Sequence, residues 1–204
     1  MIERAVAALI TRGAKILTGV QARWIGCAPA ATQRIYFANH SSHVDFILLW
    51  STLPAVLRAT TRPVAAADYW NGSRLRQYLI HRVFHGVVVG RGQMDRASSP
   101  IAPIVDALDR GDSLILFPEG TRGQGGQMLP FKSGIYYIAQ ARPDVELVPV
   151  WMDNTYRVMP KGALFPIPLL CSVRFGTPTR LRPDESGPQF LSRLRQGVME
   201  LAGK

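Results

Sequence analysis

Two polar clusters in this chain carry residue types that can do chemistry, and each follows a short apolar run. The first is Asn39-His40-Ser41-Ser42-His43-Val44-Asp45, which sets an imidazole five positions ahead of a carboxylate. A neutral imidazole takes a proton from an alcohol when its other ring nitrogen is held as a donor. A carboxylate both holds it and stabilises the cation that forms. The second cluster is Pro118-Glu119-Gly120-Thr121-Arg122, behind the apolar run 113–117. Together with Arg91 and Lys132 it offers cations from separate loops, and the planar fork of arginine suits a phosphate. Glu119 is expected to fix its loop by pairing with its own Arg122. A plainer reading exists for each: Asp45 as a helix N-cap, His40 as a turn residue bonded to a backbone carbonyl, the cations as surface ion pairs.

These clusters need a scaffold that brings them together. Short strands are predicted over 35–38, 63–68, 86–91, 113–117, 146–152 and 171–175. Helical patterns begin at Asp45 and with Phe131-Lys132-Ser133-Gly134, and cover 74–84, 99–110 and 189–201. Such alternation predicts a single α/β domain with a central mixed, mostly parallel sheet flanked by helices. Open sheets of this class place ligands beyond the carboxyl ends of their strands. The polar turns after 38, 90 and 117 should therefore gather at one edge. The apolar segment 164–170, with two prolines, reads as a wall or loop. His81 and His85, four apart with no third ligand nearby, read as structural or surface residues.

The 204 residues suit one domain with a full-sized core, and 47% apolar content argues against disorder. Twenty-four Lys and Arg against 14 Asp and Glu give a net charge of +10, which points to anionic partners. Cys27 and Cys171 are too few for a disulfide framework and fit a reducing compartment. Residues 1–28 are read as an amphipathic helical segment ahead of the main domain, 29–204. Val6, Leu9, Ile10, Ile16, Leu17, Val20 and Trp24 share one stripe, while Thr11, Arg12, Lys15 and Thr18 face away. The apolar run 5–10 is too short to span a bilayer, and Arg12 and Lys15 break any secretory core. The stripe suits either packing on the domain or lying in a membrane interface.

The clusters, taken in order, resemble the glycerolipid acyltransferases. Residues 39–45 match their N-H-x-S-x-x-D motif and Phe117-Pro118-Glu119-Gly120-Thr121-Arg122 their F-P-E-G-T-R motif. Residues 86–91 are similar to the intermediate G-x-x-x-x-R block, without its usual Phe, and 147–150 to the late V-P-V block. The resemblance implies a fold like that of the glycerol-3-phosphate acyltransferases. It also implies transfer of a fatty acyl group from acyl-CoA or acyl carrier protein to a lysophospholipid hydroxyl. The relatives implied are the 1-acylglycerol-3-phosphate acyltransferases, which make phosphatidic acid. His40 would be the general base and Asp45 its orienting carboxylate, with no acyl-enzyme and neither metal nor prosthetic group. Arg91, Glu119 and Arg122, with Lys132, would shape the phosphate end of the acceptor, and backbone groups at Gly120 and Thr121 could meet the oxyanion. The departure at the second block bears on the acceptor, so another lysolipid is the alternative.

With a lipid substrate, the expected setting is the cytoplasmic face of the cell membrane. The protein would be peripheral or monotopic, touching an anionic surface through Val6, Leu9, Ile10, Leu17 and Trp24 or through 164–170. Two readings of other classes account for less of the sequence. A metal-dependent hydrolase built on His40, His43 and Asp45 leaves 117–122 without a role. A basic nucleic-acid-binding module lacks any recognition motif, so no nucleic-acid partner is expected.

Overall fold

The computed structural model describes residues 1–42, 44–90, 101–123, 127–155 and 169–203. Its centre is β2 (Arg34–Ala38), all five of whose residues are buried. A strand covered on both faces shows no polar alternation, which is why Ile35-Tyr36-Phe37-Ala38 reads as a continuous apolar run. Successive side chains point to opposite faces. Tyr36 and Ala38 enter one core, with Leu48, Leu49, Trp50, Phe84, Val150 and Phe175. Ile35 and Phe37 enter the other, with Ile104, Leu108, Ile135, Ile138, Phe190 and Leu194.

The remaining strands are β1 (Gln21–Trp24), β3 (Thr61–Ala66), β4 (Val87–Val89), β5 (Ser113–Leu116), β6 (Glu146–Asp153) and β7 (Ser172–Phe175). They form one sheet in the order β1-β7-β6-β2-β5-β3-β4, in which β6 and β7 alone pair antiparallel. The expected single α/β domain with a mixed, mostly parallel sheet is therefore what the chain forms. Helices α1 (Ile2–Thr18) and α2 (Asp45–Thr52) and a π-helical turn (Leu79–Val83) lie over one face. Helices α6 (Ala102–Asp109), α7 (Gly134–Ala141) and α8 (Gly187–Met199) cover the other. Between them α3 (Ala55–Thr60), α4 (Ala67–Trp70) and α5 (Arg74–Tyr78) are short. Because β6, β2, β5, β3 and β4 run the same way, the carboxyl ends of β2, β3, β4 and β5 share one edge.

The N-terminal segment departs from the sequence reading. Its helix stops at Thr18, where Gly19 takes a left-handed conformation (φ 51°) and its N–H bonds to the Lys15 carbonyl at 2.8 Å. Residues 21–24 then turn into β1, and Trp24 stacks on Phe175 with ring centroids 3.9 Å apart. Trp24 is thus part of the sheet packing and not of a helical stripe. Thr11 and Thr18, expected to face outward, are buried. Their hydroxyls bond to the carbonyls of Ala7 and Ala14 four residues back, which lets a threonine face a core at little cost. The helix is therefore rotated. Val6 and Ile10 pack on the domain, while Leu9 (72% exposed) and Ile16 (83%) point away from it.

Candidate active site

The turn after β2 is built by Asp45. Its Oδ2 accepts hydrogen bonds from the backbone N–H groups of Ser41 (2.7 Å) and Ser42 (2.8 Å) and lies 2.9 Å from His40 Nδ1. Asp45 is wholly buried at the first turn of α2, and the N-cap position itself is Val44. The carboxylate folds back onto the turn and does not cap its own helix. An ionised carboxylate only accepts, so the arrangement assigns Nδ1 as the protonated nitrogen. Nε2 is then the nitrogen left to meet a substrate proton.

Three further contacts fix this turn, and each ties it to a neighbouring strand or to the segment that follows one. Asn39 is buried, and its amide exchanges two hydrogen bonds with the backbone of Met152 on β6, at 2.8 and 3.0 Å. The Ser41 and Thr155 hydroxyls lie 2.7 Å apart. On the other flank, Glu119 (1% exposed) accepts from the His40 backbone N–H with one oxygen and from the Leu129 N–H with the other, both at 2.7 Å. Glu119 therefore does not pair with Arg122 as its neighbourhood suggested. It joins the loop after β5 to the turn after β2, because those two strands are neighbours in the sheet. Burial pushes its carboxyl up from the ordinary range, and the donors from Leu129 and His40 pull it back part of the way. Phe117 completes the setting by stacking on the imidazole, with ring centroids 4.3 Å apart and planes at 24°.

Two clefts meet at His40. The smaller, about 390 Å³, is bordered by Phe46, Trp70, Thr121 and Arg122. The larger, about 750 Å³, runs between Val89, Ile104, Leu116, Ile135 and Ile138, with Gly120 and Lys132 on its border. His40, Phe117 and residues 64–66 line both. The predicted residues thus divide: Thr121 and Arg122 on the smaller cleft, Gly120 and Lys132 on the larger, and Glu119 beneath the turn. Arg91 and His43 lie outside the described residues, as do 164–168 of the apolar segment. A third cavity, about 300 Å³ near Gly26, Thr177 and Arg193, contains none of the predicted site residues.

Neither cysteine is suited to be a nucleophile. Burial, with smaller effects from Asp153 and Asp45, pushes the Cys171 thiol up to about 11, and burial also raises Cys27. Both stay protonated near neutrality, and the thiolate is the reactive form. Sequence reasoning assigns no role to Asn39, Ser41, Phe117 or Thr155 individually. Asn39, Ser41 and Phe117 stand inside the two motifs, but Thr155 carries no sequence signal at all.

Comparison with known proteins gives the class of this α/β domain with a dyad at its strand ends. The chain belongs to the acyltransferase family, whose model matches residues 25–153. It is 28% identical over 174 residues to a 1-acyl-sn-glycerol-3-phosphate acyltransferase of Cocos nucifera, covering 80% of this chain and 54% of that one. It is 28% identical over 202 residues to the 1-acyl-sn-glycerol-3-phosphate acyltransferase alpha of Mus musculus, covering 95% and 67%. The chain thus spans about half the length of several curated relatives it matches. The crystal structure of the 1-acyl-sn-glycerophosphate acyltransferase PlsC from Thermotoga maritima superposes with a TM-score of 0.75 at 24% identity. That match covers 99% of this chain and 82% of the other, and it speaks for the fold.

Proposed function

We propose that this chain transfers a fatty acyl group from a thioester to the free hydroxyl of a lysophospholipid, most directly 1-acylglycerol-3-phosphate, giving phosphatidic acid. The observation that carries the reading is the His40–Asp45 pair at the junction of an apolar cleft and a cleft bearing Arg122. His40 Nε2 takes the proton from the acceptor hydroxyl as its oxygen attacks the thioester carbonyl. Asp45 stabilises the imidazolium. The carbon–sulfur bond then breaks and the thiolate leaves with the proton from Nε2. No acyl-enzyme forms. The apolar cleft suits the acyl chain of the donor, which acyl-CoA or acyl carrier protein would supply, and Arg122 suits the acceptor phosphate. This chemistry requires no metal or prosthetic group.

Arg122→Ala is expected to raise the Michaelis constant for the phosphate-bearing acceptor about tenfold, in line with the loss of one charge-assisted contact. The constant for the thioester should change less than twofold. Equal increases for both substrates would mean that Arg122 holds its loop and not the phosphate.

A lipid acceptor and a lipid product place the reaction at a bilayer. Among the described residues no helix is long and apolar enough to cross one. We place the contact on α1, as a peripheral or monotopic attachment to an anionic, cytoplasmic leaflet. Leu9 and Ile16 share its outward face with the exposed Ile2, and Arg12 and Lys15 stand nearby. Each cation near such a leaflet contributes about 1 kcal/mol. Substituting Leu9 and Ile16 together with serine removes no core contact. It should lower sedimentation with phosphatidylglycerol-containing vesicles at least tenfold. Undiminished binding would remove α1 from this role.

A further inference from the structure

We infer that Lys132 serves the acyl donor and not the acceptor, by binding the phosphate of the carrier that delivers the acyl group. This rests on the acyl-transfer reading above and deepens it.

Three observations carry the assignment. The two positive side chains that flank the described part of the site stand on different clefts: Arg122 on the smaller one, Lys132 on the apolar one. Both clefts reach His40, so each cation accompanies a different substrate. Next, the lysine is steered there. Its backbone N–H bonds to the Pro118 carbonyl at 2.8 Å. Its side chain is laid across Gly120, where a Cβ would come within 2.9–3.0 Å of the lysine Cδ, Cε and Nζ atoms. Gly120 also has φ +65°, a conformation that L side chains rarely adopt, so the glycine both makes the turn and leaves room for the lysine to pass. Finally, Lys132 is exposed. An ammonium in water stabilises a buried oxyanion poorly, because the solvent screens it. It can meet a phosphate held outside the cleft mouth. A chain lying among Ile104, Ile135 and Ile138 with its thioester at His40 must send its carrier out past the border of that cleft. The carrier of a biological acyl thioester ends in phosphopantetheine, whether it belongs to coenzyme A or to a carrier protein.

The test is bisubstrate kinetics of the full chain with Lys132→Gln and Lys132→Arg. With palmitoyl-CoA or palmitoyl-carrier protein, Lys132→Gln should raise the donor Michaelis constant roughly tenfold. Lys132→Arg should restore most of it, and the acceptor constant should stay within twofold. With palmitoyl-N-acetylcysteamine, which has the thioester but no phosphate, Lys132→Gln should equal the wild type. A donor effect with either carrier supports the assignment, and the carrier that shows it identifies the source of the anion. A rise in the acceptor constant, or an equal loss of turnover with the phosphate-free donor, would overturn it. A wild type that acylates no lysolipid from any of the three donors would overturn the acyl-transfer reading and this assignment together.

Discussion

His40→Ala is expected to lower acyl transfer on the order of 10³-fold while the protein stays folded, as general-base removal typically does. The imidazole is a partly exposed turn side chain, so its loss opens no core cavity. Asp45 Oδ2 keeps the two N–H donors of Ser41 and Ser42, so the turn survives without the ring. A folded variant, judged by circular dichroism and thermal melting, that retained most of its turnover would end the assignment of His40 as the base.

Asp45→Asn should cost on the order of 10²-fold in turnover, for a reason the turn geometry defines. In dyads where the carboxylate faces only the imidazole, an amide can present its N–H₂ to the ring and trap the wrong tautomer. Here that flip is opposed. The two backbone N–H groups at Oδ2 require an acceptor, so the asparagine oxygen would stay there and the Nδ1–H tautomer would persist. The loss is then that of the charge that stabilises the imidazolium. The amide nitrogen would occupy the site of Oδ1, a buried atom without a hydrogen-bond partner among the described residues, and stability should fall by about 1–3 kcal/mol. Nitrogen-15 NMR of the imidazole separates the two causes: the Nδ1–H tautomer should persist in Asp45→Asn when only the charge is lost, and an Nε2–H tautomer would mark a flipped amide. Wild-type stability and turnover in Asp45→Asn would count against any role for the carboxylate.

The dyad was legible because it is local. Asp45 stands five positions after His40, the strand before them ends in a polar turn, and a carboxylate at a helix start can reach back across such a turn. Glu119 was misread for the opposite reason. Its nearest cation in sequence is Arg122, but its partners are the backbones of His40 and Leu129. The first of these is adjacent only because β5 lies beside β2. Strand order is set by the whole sheet, and no residue type near Glu119 announces it. The same holds for Thr155, whose hydroxyl meets Ser41 from 114 positions away. On α1, hydropathy placed the threonines outside. Their back-bonding to the helix carbonyls makes them tolerable inside, and this exchanged which apolar residues face out. The strand β1 was missed because four mixed residues at an edge carry no periodicity that a helix pattern could not also fit. The fold class survived these local errors because it depends on the alternation of strands and helices and not on any single boundary.

The proposal of direct acyl transfer at His40 is tested most directly by following the label from one acyl thioester. Purified protein would be mixed with radiolabelled palmitoyl-CoA or palmitoyl-carrier protein, and then with lysophosphatidic acid in vesicles. Without acceptor, the intact mass should show no acylated protein and the thioester should persist. With acceptor, the label should appear in phosphatidic acid, and His40→Ala should abolish it. Label recovered only as free palmitate, or a stable acyl-protein formed before acceptor is added, would contradict the mechanism.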